Sequence, residues 1–298
     1  MIDNKKVVAI VTAREGSKGL PNKNFMSFNG KPLFIWSVEA AMKSKYIDMV
    51  VIAGGGDRVW DTYQEYVSSP SFTVYKNSGS RGNFPIYYFR SKESMSDTSK
   101  NEEALIETIE SIEENFNEDF LYGQKHRVSP MTLKTDPSRM NPHTREVFIP
   151  SLAEVVSYKN FKADIVVNLQ PTSPYRKNGF IDDCLETYIN NGHDSLLAAG
   201  EVTPFLWGLN KGKWEFKVDC GACNRKMRQA LTPEELLYHD SGSIYVTDRE
   251  VLFKTGCRVG DNPYIYATEG LSSMQIDSEL DFKMFEILIK EIHGNNST

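Results

Sequence analysis

The residues with the clearest chemical potential form one stretch, Val11-Thr-Ala-Arg-Glu-Gly-Ser-Lys-Gly-Leu-Pro-Asn-Lys-Asn24, directly after the apolar run Lys6 to Ile10. Arg14, Lys18 and Lys23 supply positive charge, Gly16 and Gly19 let the backbone turn with its N–H groups facing inward, and Ser17 adds a hydroxyl donor. A buried strand running into a Gly-containing cationic loop is the layout of a phosphate cradle, and this much charge suits a triphosphate. Neither common phosphate-loop spacing is present, since G-x-x-x-x-G-K-[ST] and G-x-G-x-x-G are both absent. The mechanics of backbone amides with Lys and Arg around anionic oxygens are nevertheless shared. A solvated basic loop is the plainer alternative.

A loop of this kind needs a rigid frame. Strand patterns at Lys6 to Thr12, Met49 to Ala53, Pro85 to Phe89 and Asp164 to Leu169 alternate with helical patterns at Pro32 to Ser44, Asp57 to Val67 and Ser99 to Glu114. Such alternation predicts a mostly parallel sheet covered by helices on both faces, a three-layer α/β fold, with ligands at the carboxyl ends of the strands. Arg14 and Gln170 both follow strands and can reach that crevice. Pro32 suits the first turn of its helix, with Leu33, Trp36, Ala40 and Ala41 along one face.

Residues 117 to 160 carry several prolines among polar residues and read as an insertion, either a surface excursion or a substrate lid. Short runs at Ser195 to Val202 and Lys213 to Val218, near Trp207 and Trp214, predict β-hairpins outside the main sheet. The apolar positions Leu280, Phe282, Met284, Phe285, Ile287, Leu288 and Ile292 predict a closing helix packed on the sheet. The whole reads as one domain over 1–298, with a hairpin region at about 200–235.

The chain has 298 residues, is 40% hydrophobic and carries a net charge of −6, so it can bury a large core and its basic loop is a local site in an acidic protein. That balance argues against a nucleic-acid surface. No apolar run reaches the roughly 18 residues of a membrane span and no leader pattern stands at Met1, so the expectation is a soluble, cytoplasmic protein. Cys220-Gly-Ala-Cys223 has no second ligand pair at zinc spacing and is taken as structural or incidental.

These segments resemble the acylneuraminate cytidylyltransferases, enzymes that activate sialic acids and related nonulosonic keto acids with CTP. The loop at 11–24 is similar to the family's first motif. Asn168-Leu-Gln-Pro-Thr-Ser-Pro-Tyr-Arg176 resembles its second, Arg228-Gln-Ala-Leu with Asp240-Ser-Gly-Ser-Ile-Tyr-Val246 its third, and Gln275-Ile-Asp-Ser-Glu-Leu-Asp281 its last. Residues 117 to 160 and about 210 to 226 match poorly. The resemblance implies a Rossmann-like nucleotidyltransferase fold with a small β-rich dimerisation extension, a homodimer, and transfer of CMP from CTP to a keto-sugar acid. Two alternatives stay open: the same chemistry on another sugar acid or nucleotide, and a catalytically silent relative that only binds.

By position in those motifs, the resemblance implies that Arg14, Ser17, Lys18, Lys23 and Asn24 face the CTP phosphates or hold the loop. Arg90 and Asn101, on either side of Asp97, face the nucleotide, and Gln170, Arg228 and Gln229 face the sugar acid. Thr172 and Ser173 are read as caps for the next helix, and Arg176 as phosphate, sugar or surface. Where the family presents Asp-x-Asp for its metal, this chain has Gln275 and Asp277. Mg²⁺ retains waters and often takes only one or two carboxylates beside substrate phosphates, so Asp277 could suffice as the metal ligand. Asp277 could instead be only the N-cap of the closing helix. A further departure is Ala53-Gly-Gly-Gly-Asp57, where relatives tend to show Ser-Thr-Asp-Asp.

Overall fold

The computed structural model describes residues 1–16, 19–69, 85–91, 93–95, 99–115, 147–148, 160–202, 206–217 and 226–295. Ser17, Lys18, Asp97, Cys220 and Cys223 therefore lie outside the described residues, as does most of the predicted insertion.

Strand β1 (Val7–Arg14) starts the sheet, and from Val7 to Val11 every side chain is buried. A strand with apolar residues on both faces can only sit inside a sheet covered on both sides. Val7, Ala9 and Val11 pack with Phe34, Ile35 and Val38 of helix α1 (Leu33–Lys43). The same layer includes Trp60 and Tyr63 of α2 (Asp57–Val67) and Phe180 and Leu185 of α4 (Phe180–Asn191). Val8 and Ile10 point the other way, onto Leu105, Ile109 and Ile112 of α3 (Asn101–Asn115) and Leu252 of α5 (Arg249–Thr255). The alternation along β1 thus produces the three layers.

The strands that follow are β2 (Ser27–Phe28), β3 (Lys31–Pro32), β4 (Met49–Gly55), β5 (Ile86–Phe89), β6 (Val147–Phe148), β7 (Ile165–Leu169) and β8 (Ser195–Val202). After them come β9 (Trp207–Asn210), β10 (Lys213–Phe216), β11 (Leu237–Asp248) and β12 (Pro263–Thr268). The sheet has the order β12-β8-β11-β7-β1-β4-β5-β6. β4 and β7 flank β1 in parallel, β5 continues in parallel beyond β4, and only β11 and β6 run against the rest. Chain order therefore reverses at β1, between β4 on one side and β7 on the other, which is where a crevice opens at the carboxyl ends.

Several expectations need correction. β8 is not an outlying hairpin: it pairs with both β11 and β12 inside the main sheet. Only β9 and β10 form a separate two-stranded hairpin. Lys211 and Gly212 turn it with positive φ angles of 47° and 81°, the geometry that matches strand twist. Residues 147–148, inside the predicted insertion, add β6 to the sheet edge beside β5. Pro32 caps α1 from β3 and is not in its first turn.

The closing helix α6 (Glu279–Asn295) packs elsewhere than on the sheet. Its Phe282, Phe285 and Ile289 bury against Leu20, Phe28, Leu33 and Ile276, a cluster distinct from those on the two sheet faces. The faces are already covered by the other helices, so α6 clamps the segment that follows the cationic loop. Leu280, Met284, Ile287 and Leu288 remain exposed at 40–66%.

The N-terminus of α6 decides between the two readings of Asp277. Ser278 Oγ accepts from Asp281 N at 3.2 Å, and the Asp281 carboxylate reaches back to Ser278 N at 2.8 Å and Asp277 N at 3.1 Å. This reciprocal arrangement is a capping box with Ser278 as the cap. Asp277 is therefore not the N-cap, and Asp281, which the sequence reading turned elsewhere, holds the helix start. Ser278→Ala is expected to cost about 1 kcal/mol in urea unfolding. Asp277→Asn is expected to leave the unfolding midpoint unchanged, because its carboxylate is 69% exposed and outside the cap.

Candidate active site

The carboxyl ends of β1, β5 and β7 open into a cavity of about 320 Å³ lined by Arg14, Lys23, Asn24, Arg90, Asn101, Gln170, Gln275 and Asp277, with Thr12, Ser99, Pro171 and Thr172. Residues far apart in sequence converge here because parallel strands deliver all their following loops to one edge. Arg14 ends β1 opposite Gly55 of β4. Asn24, buried in a 3-10 turn at Lys23–Phe25, donates from Nδ2 to the Arg14 carbonyl at 2.9 Å and so folds the loop back on its own strand.

Lys23 Nζ crosses to the other end of the chain, donating to Ile276 O at 3.1 Å and to Asp277 Oδ1 at 2.9 Å. Gly19 lies so close to the Asp277 carbonyl that a Cβ there would sit 2.8 Å from it, so the approach of loop and closing motif depends on glycine. Among the described residues, Asp277 is the cleft's one carboxylate, and no cluster of three or more His, Cys, Asp or Glu is set to hold a metal.

Arg90 is 6% exposed, its backbone N–H on Gly54 O at 3.0 Å and its guanidinium against Ser94 Oγ and the Ser94 carbonyl. Burial pulls its pKa down, an effect opposed by the Glu107 carboxylate and reinforced by Arg14. Glu107 is itself buried on α3, accepting from Tyr88 Oη at 2.6 Å, Ser91 N at 2.8 Å and Ser91 Oγ at 3.0 Å. Burial raises its pKa, but hydrogen bonds from Ser94, Tyr88 and Ser91 outweigh it and hold the carboxyl below its usual range. A charged Glu107 thus sits behind Arg90, a residue that sequence spacing alone gives no reason to single out.

The turn after β7 is held from below. Arg176 donates to Ser243 O at 2.8 Å, Ser37 Oγ at 3.0 Å and Gln170 O at 3.1 Å, and burial lowers its pKa to about 9. It remains charged at neutral pH and acts as a strut, neither a phosphate nor a surface group. Thr172 and Ser173 do not cap a helix, because α4 begins only at Phe180 with Gly179 before it. Thr172 O instead accepts from Ile276 N at 2.8 Å, and Ser173 Oγ donates to Ser241 O at 2.6 Å. The prolines around them extend the chain away from the sheet before a helix can start.

Gln275, read as the missing metal ligand, donates from Nε2 to Asp240 O at 2.8 Å. A Cβ on Gly242, in the β11 irregularity with φ +64°, would strike Gln170 Oε1 and approach Gln275 Nε2 to 3.2 Å, so both amides crowd over that glycine. The Gly54-Gly55-Gly56 run is a close-approach device as well. Side chains there would overlap Tyr87, Met95 and Glu15, and Glu15 Oε1 takes Arg58 N at 2.6 Å, supplying the acid at the start of α2. Tyr245 is core, 2% exposed.

The structure does not bring Gln229 to the cleft: it is exposed on the 3-10 turn Arg228–Ala230, and the Arg228 side chain lies outside the described residues. A smaller cavity of about 140 Å³ lies between α1 and residues 174–182, where Lys31 pairs with Glu39 and Ser44 donates to Asp182.

The architecture agrees with the comparisons. Residues 8–98 match the family model described as cytidylyltransferase. The chain is 22% identical over 290 residues to a post-translational flagellin modification protein B of Campylobacter coli, covering 96% of each. It is 24% identical over 280 residues to an N-acylneuraminate cytidylyltransferase of Streptococcus agalactiae, covering 93% of this chain but 52% of that one, so it spans about half the length of that relative. A solved CMP:2-keto-3-deoxy-manno-octonic acid synthetase complexed with CTP shares the fold, with a TM-score of 0.53 at 14% identity over 96% of this chain and 99% of that one. Residues 8–98 are thus similar to the cytidylyltransferase family model, and most of the chain is similar to an N-acylneuraminate cytidylyltransferase.

Proposed function

We propose that the protein transfers CMP from CTP to the anomeric hydroxyl of a nonulosonic keto-sugar acid, releasing pyrophosphate. The observation that carries this reading is the single cleft in which Arg14, Lys23 and Arg90 face the neutral amides of Gln170, Gln275 and Asn101. The cations suit a triphosphate and the amides suit a hydroxyl-rich acid and a base edge. The sugar oxygen attacks the α-phosphorus, the bond to the bridging oxygen of the β-phosphate breaks, and the hydroxyl proton passes to solvent. Such transfer needs in-line positioning and neutralised phosphate oxygens more than covalent help.

In this reading Arg14 and Lys23 take phosphate oxygens, with Ser17 and Lys18 in the same loop, while Asn24 keeps the loop closed. Lys23 would exchange Asp277 for phosphate on binding. Gln170 contacts the sugar acid. A contact of Arg228 and Gln229 with that acid across a subunit boundary is part of this proposal, which ties their role to a dimer. A cytoplasmic location belongs to the same proposal; among the described residues no helix is long and apolar enough to cross a membrane.

The donor set fits Mg²⁺ in a sparse form: Asp277 offers a carboxylate that is 69% exposed despite its bond to Lys23, and water and phosphate oxygens complete a typical shell. When bound, the ion would neutralise charge on those phosphate oxygens.

The test of the whole reading is pyrophosphate release on mixing with CTP, Mg²⁺ and a panel of keto-sugar acids. Arg14→Ala and Lys23→Ala are each expected to weaken CTP binding or turnover at least roughly tenfold, the loss of about 1.5–3 kcal/mol from one charged hydrogen bond. Unchanged affinity and rate in both would sink the cradle. CTP binding without turnover on any acid would favour a silent relative, the reading that Gln275 in place of a carboxylate supports.

For the metal, chelation is expected to stop turnover and Asp277→Asn nearly to abolish it without unfolding. Gln275→Asp is expected to lower the Mg²⁺ concentration for half-maximal rate, because a second carboxylate attracts a hard cation. A wild-type rate in Asp277→Asn would refute the assignment.

The hairpin supplies the case for a homodimer. Trp207, Leu209 and Trp214 are exposed at 55%, 62% and 68%, with Leu206 beside them at 48%. Apolar surface of this kind concentrates at interfaces. Sedimentation at micromolar concentration is expected to give a dimer and Trp214→Glu a monomer; a fully active wild-type monomer would contradict both.

A further inference from the structure

The two glutamine amides of the cleft rest on one irregular stretch of β11. Between Asp240 and Tyr245 its register against β8 shifts, so that Ser241 to Ile244 stand opposite Ala198 alone. Pairing of β11 with β7 begins only at Tyr245, opposite Asn168. Across this irregularity the successive carbonyls of residues 240–243 each take a donor from a segment that borders the cleft. Asp240 O accepts from Gln275 Nε2 at 2.8 Å, Ser241 O from Ser173 Oγ at 2.6 Å, Gly242 O from Gln170 N at 3.4 Å and Ser243 O from Arg176 Nε at 2.8 Å. Bulges beside active sites commonly re-aim side chains in this way.

The Asp240 side chain holds the bulge in shape. Its Oδ1 accepts from Gly242 N at 2.9 Å and its Oδ2 from Tyr245 Oη at 2.6 Å, so one carboxylate ties the start, middle and end of the irregular stretch. Tyr245 is buried and Arg258 lies over its ring at 4.0 Å, which fixes the far end of that tie. Gly242 has φ +64°, and a Cβ there would come within 2.4 Å of Gln170 Oε1 and 3.2 Å of Gln275 Nε2. The height of the bulge at Gly242 therefore sets how far both amides reach into the cleft that they line. Asp240 itself does not line that cleft, so it supports the wall without presenting negative charge to an acidic substrate.

Resting on the reading above that Gln170 meets the sugar acid, we propose that Asp240 is a positioning residue for the acceptor. It fixes the bulge on which Gln170 and Gln275 rest, and so determines how the cleft receives a keto-sugar acid. The nucleotide half is built elsewhere: Asn24 folds the cationic loop onto the Arg14 carbonyl of β1, and Arg90 follows β5. Disturbing the bulge is expected to separate the two substrates.

Turnover with N-acetylneuraminic acid, pseudaminic acid and 2-keto-3-deoxy-manno-octonic acid, alongside calorimetric CTP affinity on the same full-chain variants, tests this. Asp240→Ala is expected to raise KM for the accepted acid at least roughly tenfold with CTP affinity unchanged, since small displacements of positioning groups are costly. Asp240→Asn keeps an oxygen for Gly242 N and offers Tyr245 Oη an N–H, and is expected to retain the wild-type KM. An unchanged KM in Asp240→Ala overturns the inference. A parallel loss of CTP affinity in that variant does so too, because the effect is then not confined to the acceptor. Lost turnover in Asp240→Asn at unchanged KM also overturns it, by making the charge itself the working group. Should Asp240→Ala not fold, Tyr245→Phe, which cuts the Oδ2 tie alone, is expected to raise the same KM, and an unchanged value there is equally decisive against the inference. A wild type that binds CTP yet turns over none of the acids fails the sugar-acid reading itself, and the inference falls with it.

Discussion

Strand β1 is the reference to which the cleft is built. Its backbone carbonyls, buried between two parallel neighbours, fix the side chains that matter: Ile10 O orients Asn168, and Arg14 O holds Asn24. A carbonyl in a fully covered strand cannot rotate and cannot be satisfied by water, so each of these bonds has one geometry. Arg14 itself leaves the strand into the cleft, and Glu15 turns the other way to serve the start of α2. The strand's burial on both faces thus becomes precision at its end.

The second organising contact joins the chain's extremes. Lys23 and Asp277 meet across 254 positions, and α6 packs its Phe282 and Phe285 on Leu20 and Phe28 just beside them. The loop and the closing motif are consequently one unit: apolar burial supplies the stability, and the ion pair sets which charges face each other. An exposed pair of this kind contributes little energy. Its consequence is for binding, since a phosphate must compete with a carboxylate for the same ammonium.

Arg90 shows the complementary arrangement. A cation this buried would be costly alone, and the Glu107 network places a compensating carboxylate behind it without exposing that acid to the ligand. The cleft keeps its cationic character while the surrounding protein remains acidic.

The sequence by itself determined the layered α/β class, the positions of β1, β4, β7 and α2 to within a residue or two, and the placement of Arg14 and Gln170 at strand ends, because apolar period and strand-end placement are local properties; Lys23 and Asp277 were singled out by loop charge and family resemblance. Tertiary structure decided what those periods could not encode. β8 entered the main sheet because partners on both sides, far along the chain, were free to pair with it. Arg176 became a strut because Ser37, Gln170 and Ser243 surround it, and Asn168 is held by a carbonyl on β1 that no spacing rule connects to it. Each of these depends on which distant group fills the remaining hydrogen-bond site, and only the packed sheet assigns that partner.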